Sequence, residues 1–167
     1  ETNLYSPNLL YDLSQEEEIS YLDKLALEKE LGFDIETMGN WVERIAFAGE
    51  KVSISVPLDR GEYKFEIKEK VCQILASHKG LIAQNGMFDM TILKKAGMPV
   101  NKLYADTLIG HHLLYPEWPH GLDFLSSIYV KLNYPPHGPG WSDKENIGKS
   151  NALHSALTLT IWKELEK

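Results

Sequence analysis

Cysteine is almost absent from this chain, since its 167 residues include only Cys72. A single thiol cannot form an internal disulfide, which excludes a disulfide-stapled fold and favours a reducing compartment. Cys72 lies in an apolar run typical of a helix, so we expect a buried and inert thiol. The sequence also lacks a signal peptide, a membrane-length apolar run, repeats and low-complexity segments. These absences predict an intracellular protein without a membrane segment.

Basic residues are few, with 17 Lys and Arg against 24 Asp and Glu, and the net charge is −7. This balance excludes a protein that coats nucleic acid by bulk attraction to phosphates. Any contact with nucleic acid must be local, with aromatic rings available for stacking on unpaired bases. Six lysines are candidates for such contacts, and for any one of them solvent exposure is the simpler interpretation: Lys94, Lys95, Lys102, Lys131, Lys144 and Lys149.

Three acids stand at spacings suited to a divalent cation. Over residues 31–36, apolar side chains alternate with Gly32, Asp34 and Glu36, so the two acids project from one face at the end of a strand. Mg²⁺ and Mn²⁺ prefer oxygen ligands and need only a few protein carboxylates, and Asp89 is the natural third ligand. The simpler alternatives are a solvated strand end for Asp34 and Glu36 and a charge at a helix N-terminus for Asp89. The metal site is the favoured hypothesis.

Two short motifs and a longer stretch resemble one family of nucleases. FDIET at 33–37 and QNGMFD at 84–89 resemble the first two motifs of the 3′ to 5′ exonuclease domain of family A DNA polymerases, within the DEDD exonuclease superfamily. The stretch 105–129 resembles the bacteriophage branch of that family. The resemblance implies two metal ions, Mg²⁺ or Mn²⁺, held by the three acids. It also places Asn85, Phe88 and Ser150 at substrate-binding positions.

The same resemblance implies a substrate, a partner domain and a cellular location. The substrate would be a single-stranded DNA 3′ end, and a polymerase domain would be part of the same polypeptide. The chain begins with Glu1 rather than Met, which agrees with a fragment of a longer protein. We therefore expect an exonuclease-like domain over residues 1–167, in the cytoplasm of a bacterium or a phage-infected host.

The third motif departs from the family pattern of a tyrosine and an aspartate four residues apart on a helix. Ser150 stands at the position of the tyrosine, and His154 at the position of the aspartate. Residues four apart on a helix lie on one face, so both should face the strand carboxylates. In the family the tyrosine orients the attacking water and the aspartate helps to hold the second ion. We expect the second ion to be weakly held and the activity to be reduced.

His154 has three interpretations. The favoured one is a lost ligand, because nearby carboxylates stabilise a protonated imidazole, which cannot bind metal. It could instead ligate Mn²⁺ or Zn²⁺, for which imidazole is a better partner than for Mg²⁺. The third possibility is a replacement general base.

Other polar residues have simpler explanations. Asn85 either makes a turn with Gly86 or fixes the approach of the substrate. Asp106 precedes an apolar run and is expected to cap the helix that begins there. Surface or packing roles are expected for three histidines: His111, His112 and His120.

The order of predicted elements indicates the fold. A capping box at 14–17 predicts a helix to about Leu27. Residue spacing predicts strands at 31–36, 42–47, 52–57 and 80–83, and helices at 67–78, at 88–96 and over most of the remainder. A loop rich in proline and glycine is expected at 134–140. This order predicts a single-domain α/β protein with an RNase H-like fold, a mixed sheet flanked by helices.

Three functions remain open from the sequence. The first is a metal-dependent 3′ to 5′ exonuclease of the proofreading type, with Asp34, Glu36, Asp89 and His154 at its catalytic site. The second is a degenerate exonuclease-like domain with a structural or DNA-binding role beside a polymerase. The third is an RNA 3′ exonuclease of the RNase D type, which would use the same acids.

Overall fold

The computed structural model describes residues 7–58, 64–130 and 147–167. In this part of the chain the strands are β1 (Asn8–Leu10), β2 (Leu31–Met38), β3 (Trp41–Ala48), β4 (Val52–Pro57), β5 (Leu81–Ala83) and β6 (Ala105–Asp106). The helices are α1 (Gln15–Leu25), α2 (Lys64–Ser77), α3 (Gly86–Lys95), α4 (Thr107–Leu114), α5 (Leu122–Leu125) and α6 (Ile147–Leu165), and a π-helical segment (Ser126–Val130) follows α5.

The strands form one mixed sheet in the order β1-β4-β3-β2-β5-β6. The central hairpin β2–β3 and the β3–β4 pair are antiparallel, while β5 runs parallel to β2 and β6 runs parallel to β5. The carboxyl ends of parallel neighbours meet at one edge of a sheet. The segments that follow β5 and β6 therefore emerge beside the end of β2, where its acids lie.

The predicted α/β architecture is confirmed, and most predicted elements are present. The capping box at the start of α1 is formed, because the Ser14 side chain accepts a hydrogen bond from the main-chain N–H of Glu17 and the Glu17 carboxylate accepts one from the main-chain N–H of Ser14. The helix ends at Leu25, two residues before the predicted end. The strand predicted at 52–57 has those bounds in the structure.

The sheet separates two packed layers. On one face, Leu31, Phe33 and Ile35 of β2 join the main hydrophobic core with residues of α1 and α2, such as Leu22 and Val71. Helix α6 covers the other face, where its Leu157 and Ile161 pack on the short helical segments before it. This division follows from the alternation along β2, since odd-numbered residues enter the core and even-numbered residues face α6.

Gly32 is where α6 meets the sheet most closely. A Cβ at this position would overlap the main-chain oxygen of Ser155 and crowd Leu159. A glycine in a strand is typical of such a close approach of another backbone. Small side chains continue this contact, because the hydroxyl groups of Ser53 on β4 and Ser155 on α6 lie 2.8 Å apart.

Some expectations need correction, and others concern residues outside the described ranges. Cys72 is half-buried rather than buried, although burial does raise the pKa of its thiol. The strands β1 and β6 were not predicted. The predicted loop at 134–140, Lys131 and Lys144 lie outside the described residues. Within the described residues, no helix combines the length and apolar character needed to cross a bilayer.

Candidate metal centre

Asp34 and Glu36 lie on the face of β2 that α6 covers, as the alternation predicted. The imidazole Nδ1 of His154 on α6 lies 3.5 Å from Asp34 Oδ2 and 3.7 Å from Glu36 Oε1. The exposed fraction of the side chain is 21% for Asp34, 26% for Glu36 and 22% for His154. The three groups therefore meet at a partly open position at the end of the strand.

Ser150 and His154 lie one helical turn apart and face the same way. The Ser150 hydroxyl is 3.4 Å from His154 Nε2, and Ser150 is only 6% exposed. The two nitrogens of the imidazole thus have different surroundings, with a hydroxyl group beside Nε2 and two carboxylates beside Nδ1. The predicted common face of residues 150 and 154 is confirmed.

Asp89 joins this region from the first turn of α3, which begins three residues after β5 ends. It is 5% exposed, and among the described residues the groups that shift the titration of its carboxylate are other acids, with no hydrogen-bond donor. Burial raises its pKa to about 8, with further contributions from the charges of Asp34, Asp106 and Glu36. A buried carboxylate surrounded by other acids is a costly arrangement unless a cation compensates it.

Glu36 and His154 respond to the same crowding of negative charge. Burial and the neighbouring Asp34 raise the pKa of Glu36 to about 7, while His154 opposes the shift. Burial alone would lower the pKa of His154, but the hydrogen bond and charge of Asp34, with the charge of Glu36, raise it above its usual value. The site therefore favours positive charge, whether from a proton or from a metal ion.

The donor set fits a divalent cation. Asp34, Glu36 and His154 each offer one ligand atom, and these atoms all lie within 4.8 Å of one another. Asp89 is outside this closest group but adds a third carboxylate, which is buried, to its surroundings. Two oxygen ligands suit Mg²⁺ and Mn²⁺, and an imidazole suits Mn²⁺ or Zn²⁺ better than Mg²⁺. The residues present can hold a metal ion.

A buried polar chain, which the sequence patterns did not reveal, fixes Asp34. Asn151 Nδ2 donates hydrogen bonds to Asp34 Oδ2 at 2.9 Å and to its main-chain oxygen at 3.1 Å. The Asn151 Oδ1 accepts from Ser55 at 2.7 Å, and Ser55 Oγ accepts from Arg44 Nε at 2.9 Å. Such outer partners orient a metal ligand and tune its basicity. Only the position of Asn151 beside Ser150 could have indicated this role.

Asp106 caps α4, as predicted, and has a second role. Its carboxylate accepts from the main-chain N–H of Leu108, and also from those of Asn85 at 3.0 Å and Gly86 at 2.7 Å. Asn85 is left-handed at φ 57°, so the predicted turn is present. Asp106 therefore ties the start of α3, which carries Asp89, to the end of β6.

The predicted substrate-binding residues differ in accessibility. Asn85 is exposed, Phe88 is 54% exposed, and Ser150 is nearly buried. Among the lysine candidates in the described segments, four are exposed: Lys94, Lys95, Lys102 and Lys149. Exposure agrees with both interpretations given for the lysines, and Lys149 is beside Ser150 in sequence.

The three histidines of the α4 region contact one another. His111 is fully buried, and its Nδ1 lies 2.7 Å from His120 Nδ1, while His120 Nε2 lies 3.0 Å from Nδ1 of the exposed His112. Burial and His120 lower the pKa of His111. Because His120 uses a different nitrogen toward each neighbour, the rings form a hydrogen-bonded chain and not a three-ligand metal site.

The sequence matches no protein-family model and no curated protein. Solved structures with a similar fold include the POL domain of Pol1 from M. smegmatis, at a TM-score of 0.76 and 14% identity. They also include the catalytic core of RRP6 from Trypanosoma brucei, at 0.74 and 17%, and Escherichia coli RNase D, an exoribonuclease involved in structured RNA processing, at 0.72 and 14%.

These similarities cover 93, 98 and 95% of this chain but only 27, 47 and 44% of the chains it matches. The chain thus spans between about a quarter and a half of their length. They confirm the predicted RNase H-like α/β fold.

Proposed function

We propose that this domain is a metal-dependent 3′ to 5′ exonuclease that hydrolyses the terminal phosphodiester of single-stranded nucleic acid. The observation that carries the proposal is the convergence of Asp34, Glu36 and Asp89 at the carboxyl edge of the sheet, where burial and mutual repulsion raise the pKa values of Glu36 and Asp89. Groups held in such an environment are typical of catalytic sites. The shared fold supports the same activity.

The roles of the residues follow from their positions. Asp34 and Glu36 would hold the ion, and the chain from Asn151 fixes the orientation of Asp34. A bound divalent ion lowers the pKa of a coordinated water and neutralises charge on the phosphate. The exposed ring of Phe88, one residue before Asp89, can stack on an unpaired base. Because the chain is acidic overall, the positive charge at the scissile phosphate would come mainly from the ion.

We propose DNA as the substrate and a polymerase as the remainder of the polypeptide. The motif resemblance to phage-type polymerases supports both, as does the structural similarity to a POL domain. The similarity to RNase D, an exoribonuclease, supports RNA as the alternative substrate. A 5′-labelled DNA and an RNA of the same sequence, offered separately, distinguish these substrates by their rates of shortening.

The activity itself is tested with the same labelled strands in Mg²⁺ and separately in Mn²⁺. We expect stepwise shortening from the 3′ end that is lost in Asp34→Asn and in Asp89→Asn, which replace a carboxyl group that can bind the ion by an amide of nearly the same shape. Asp12→Asn, at an exposed position away from the acids, is the matched control and should retain full activity. Cleavage that persists in Asp34→Asn at the wild-type rate would contradict the proposal.

One observation favours a second function, a degenerate domain with a structural or strand-binding role. The imidazole of His154 lies beside both strand carboxylates, where a protonated ring would supply the positive charge that a metal otherwise provides. In that case the wild type is inactive, and His154→Asp, most clearly together with Ser150→Tyr, should create Mg²⁺-dependent cleavage. A folded wild type that cleaves either strand rejects this alternative.

A further inference from the structure

The two nitrogens of the His154 ring are held in a defined arrangement. Ser150 Oγ lies 3.4 Å from Nε2, and Asp34 Oδ2 and Glu36 Oε1 lie 3.5 and 3.7 Å from Nδ1. In the metal-free site Nδ1 is the nitrogen that faces Asp34 and can donate its N–H to that carboxylate. When a metal ion displaces this proton, the one proton of the neutral ring would lie on Nε2, toward Ser150, and the Nδ1 lone pair would face the two carboxylates. Two anions facing a lone pair repel it, and a metal ion between them removes the repulsion.

We propose that His154 Nδ1 is a metal ligand and that Asp34, Glu36 and His154 form a mixed oxygen and nitrogen site with a preference for Mn²⁺ over Mg²⁺. Ser150 is the positioning residue that holds the ring in the required tautomer. This assignment rests on the proposed function, because it concerns the same metal centre. It departs from the all-carboxylate site that the motif resemblance implies.

The spacing of the three donors is close to what one ion requires. Two ligands at right angles on an octahedral ion with bonds of about 2.1 Å lie about 3 Å apart. The observed separations of 3.5 Å to Asp34 and 3.7 Å to Glu36 exceed this value by about 0.5 and 0.7 Å. Small rotations of the partly exposed Asp34 and Glu36 carboxylates would bring the donor atoms closer to this distance.

The substitutions at positions 150 and 154 belong together. Metal-binding histidines almost always donate their second N–H to an acceptor, which fixes the ring and its tautomer. Ser150 is nearly buried and lies one helical turn from His154, so its hydroxyl can be that acceptor. A histidine at 154 and a small hydroxyl residue at 150 therefore form one unit, rather than two separate losses.

The test is pulsed electron paramagnetic resonance of the protein loaded with Mn²⁺. A directly bound imidazole produces ¹⁴N modulation of the Mn²⁺ echo, and we expect this modulation in the wild type. Protein labelled with ¹⁵N only in histidine should replace it with the ¹⁵N pattern, so that no variant is needed for the assignment. The modulation should disappear in His154→Asp and persist in His112→Gln, which alters an exposed histidine outside the site.

Calorimetric titration with each metal gives the selectivity. We expect the dissociation constant for Mn²⁺ to lie at least about tenfold below that for Mg²⁺, and His154→Asp to reduce this ratio by about tenfold. Ser150→Ala should weaken Mn²⁺ binding by about tenfold through loss of the second hydrogen bond. Circular dichroism and thermal unfolding of each variant identify any that do not fold.

The results separate this assignment from the proposed function. Nuclease activity with bound Mn²⁺ that shows no histidine nitrogen modulation would overturn the assignment and leave the exonuclease in place. Histidine nitrogen modulation in a protein that cleaves neither DNA nor RNA would support the assignment and reject the exonuclease. Failure of the wild type to bind Mn²⁺ would overturn the assignment.

Discussion

Replacement of Asp89 by asparagine should remove a pH dependence from the stability of the metal-free protein. The folded state raises the pKa of Asp89 from 3.8 to about 8, first through burial and then through the neighbouring acids. Between these two values the folded chain binds more protons than the unfolded chain. Stability is therefore highest below about pH 4 for this group and is lost as the pH rises toward 8.

The magnitude follows from the size of the shift. While the folded group is protonated and the unfolded group is ionised, the free energy of unfolding falls by about 1.4 kcal/mol for each pH unit. Between pH 5 and pH 7, Asp89 should account for a loss of up to about 3 kcal/mol. Asparagine resembles the protonated carboxyl group and does not titrate, so Asp89→Asn should not show this loss.

Urea unfolding in EDTA at pH 5, 6 and 7 measures the effect directly. The wild type should lose stability over this range more steeply than Asp89→Asn, whereas Asp12→Asn, at an exposed position, should follow the wild type. Mn²⁺ added at 100 times its dissociation constant should then stabilise the wild type by about 2.7 kcal/mol. Parallel pH profiles for the wild type and Asp89→Asn would refute the reasoning, because they would show that Asp89 is not desolvated.

Three other substitutions test the framework of the site. Gly32→Ala should destabilise the fold by about 1–3 kcal/mol in urea unfolding, because the Cβ of the alanine would overlap the main chain of Ser155. An unchanged unfolding midpoint would mean that α6 does not lie against β2. Asn151→Ala should weaken Mn²⁺ binding about tenfold in calorimetry through loss of its hydrogen bond to Asp34, and unaltered affinity would exclude an orienting role. Asp106→Ala should lower the free energy of unfolding by about 1–2 kcal/mol and increase amide hydrogen exchange in the turn after β5, because Asn85 and Gly86 lose their acceptor. Unchanged protection of these amides would show that the turn is stable without Asp106.

Local patterns carried enough information to predict the acids of the site. The alternation along residues 31–36 placed Asp34 and Glu36 on one face, and the four-residue spacing placed Ser150 and His154 on one side of a helix. Both predictions depend only on the periods of a strand and a helix. The capping box at the start of α1 is equally local, because its two residues lie within one turn.

Contacts between residues far apart in the sequence could not be predicted from such local patterns. The hydrogen-bonded chain from Arg44 through Ser55 and Asn151 to Asp34 joins the three strands β3, β4 and β2 to α6, and its members differ by up to 117 positions in sequence. The two-residue strand β6 forms only because β5 lies beside it, since so short a run has no period of its own. The ring chain of His111, His120 and His112 likewise depends on how the chain after α4 turns back on that helix.

Main-chain contact at Gly32 sets the distance between β2, which carries the acids of the candidate metal centre, and α6, which carries His154. Because strand and helix touch there through backbone and small side chains, the side chains at 150 and 154 do not have to hold α6 in position. A mutation at either position therefore alters the chemistry of the centre without removing the support of the helix that carries it. Such a scaffold would tolerate exchange of the side chains at 150 and 154 together, and with it a change in the metal preference of the candidate site.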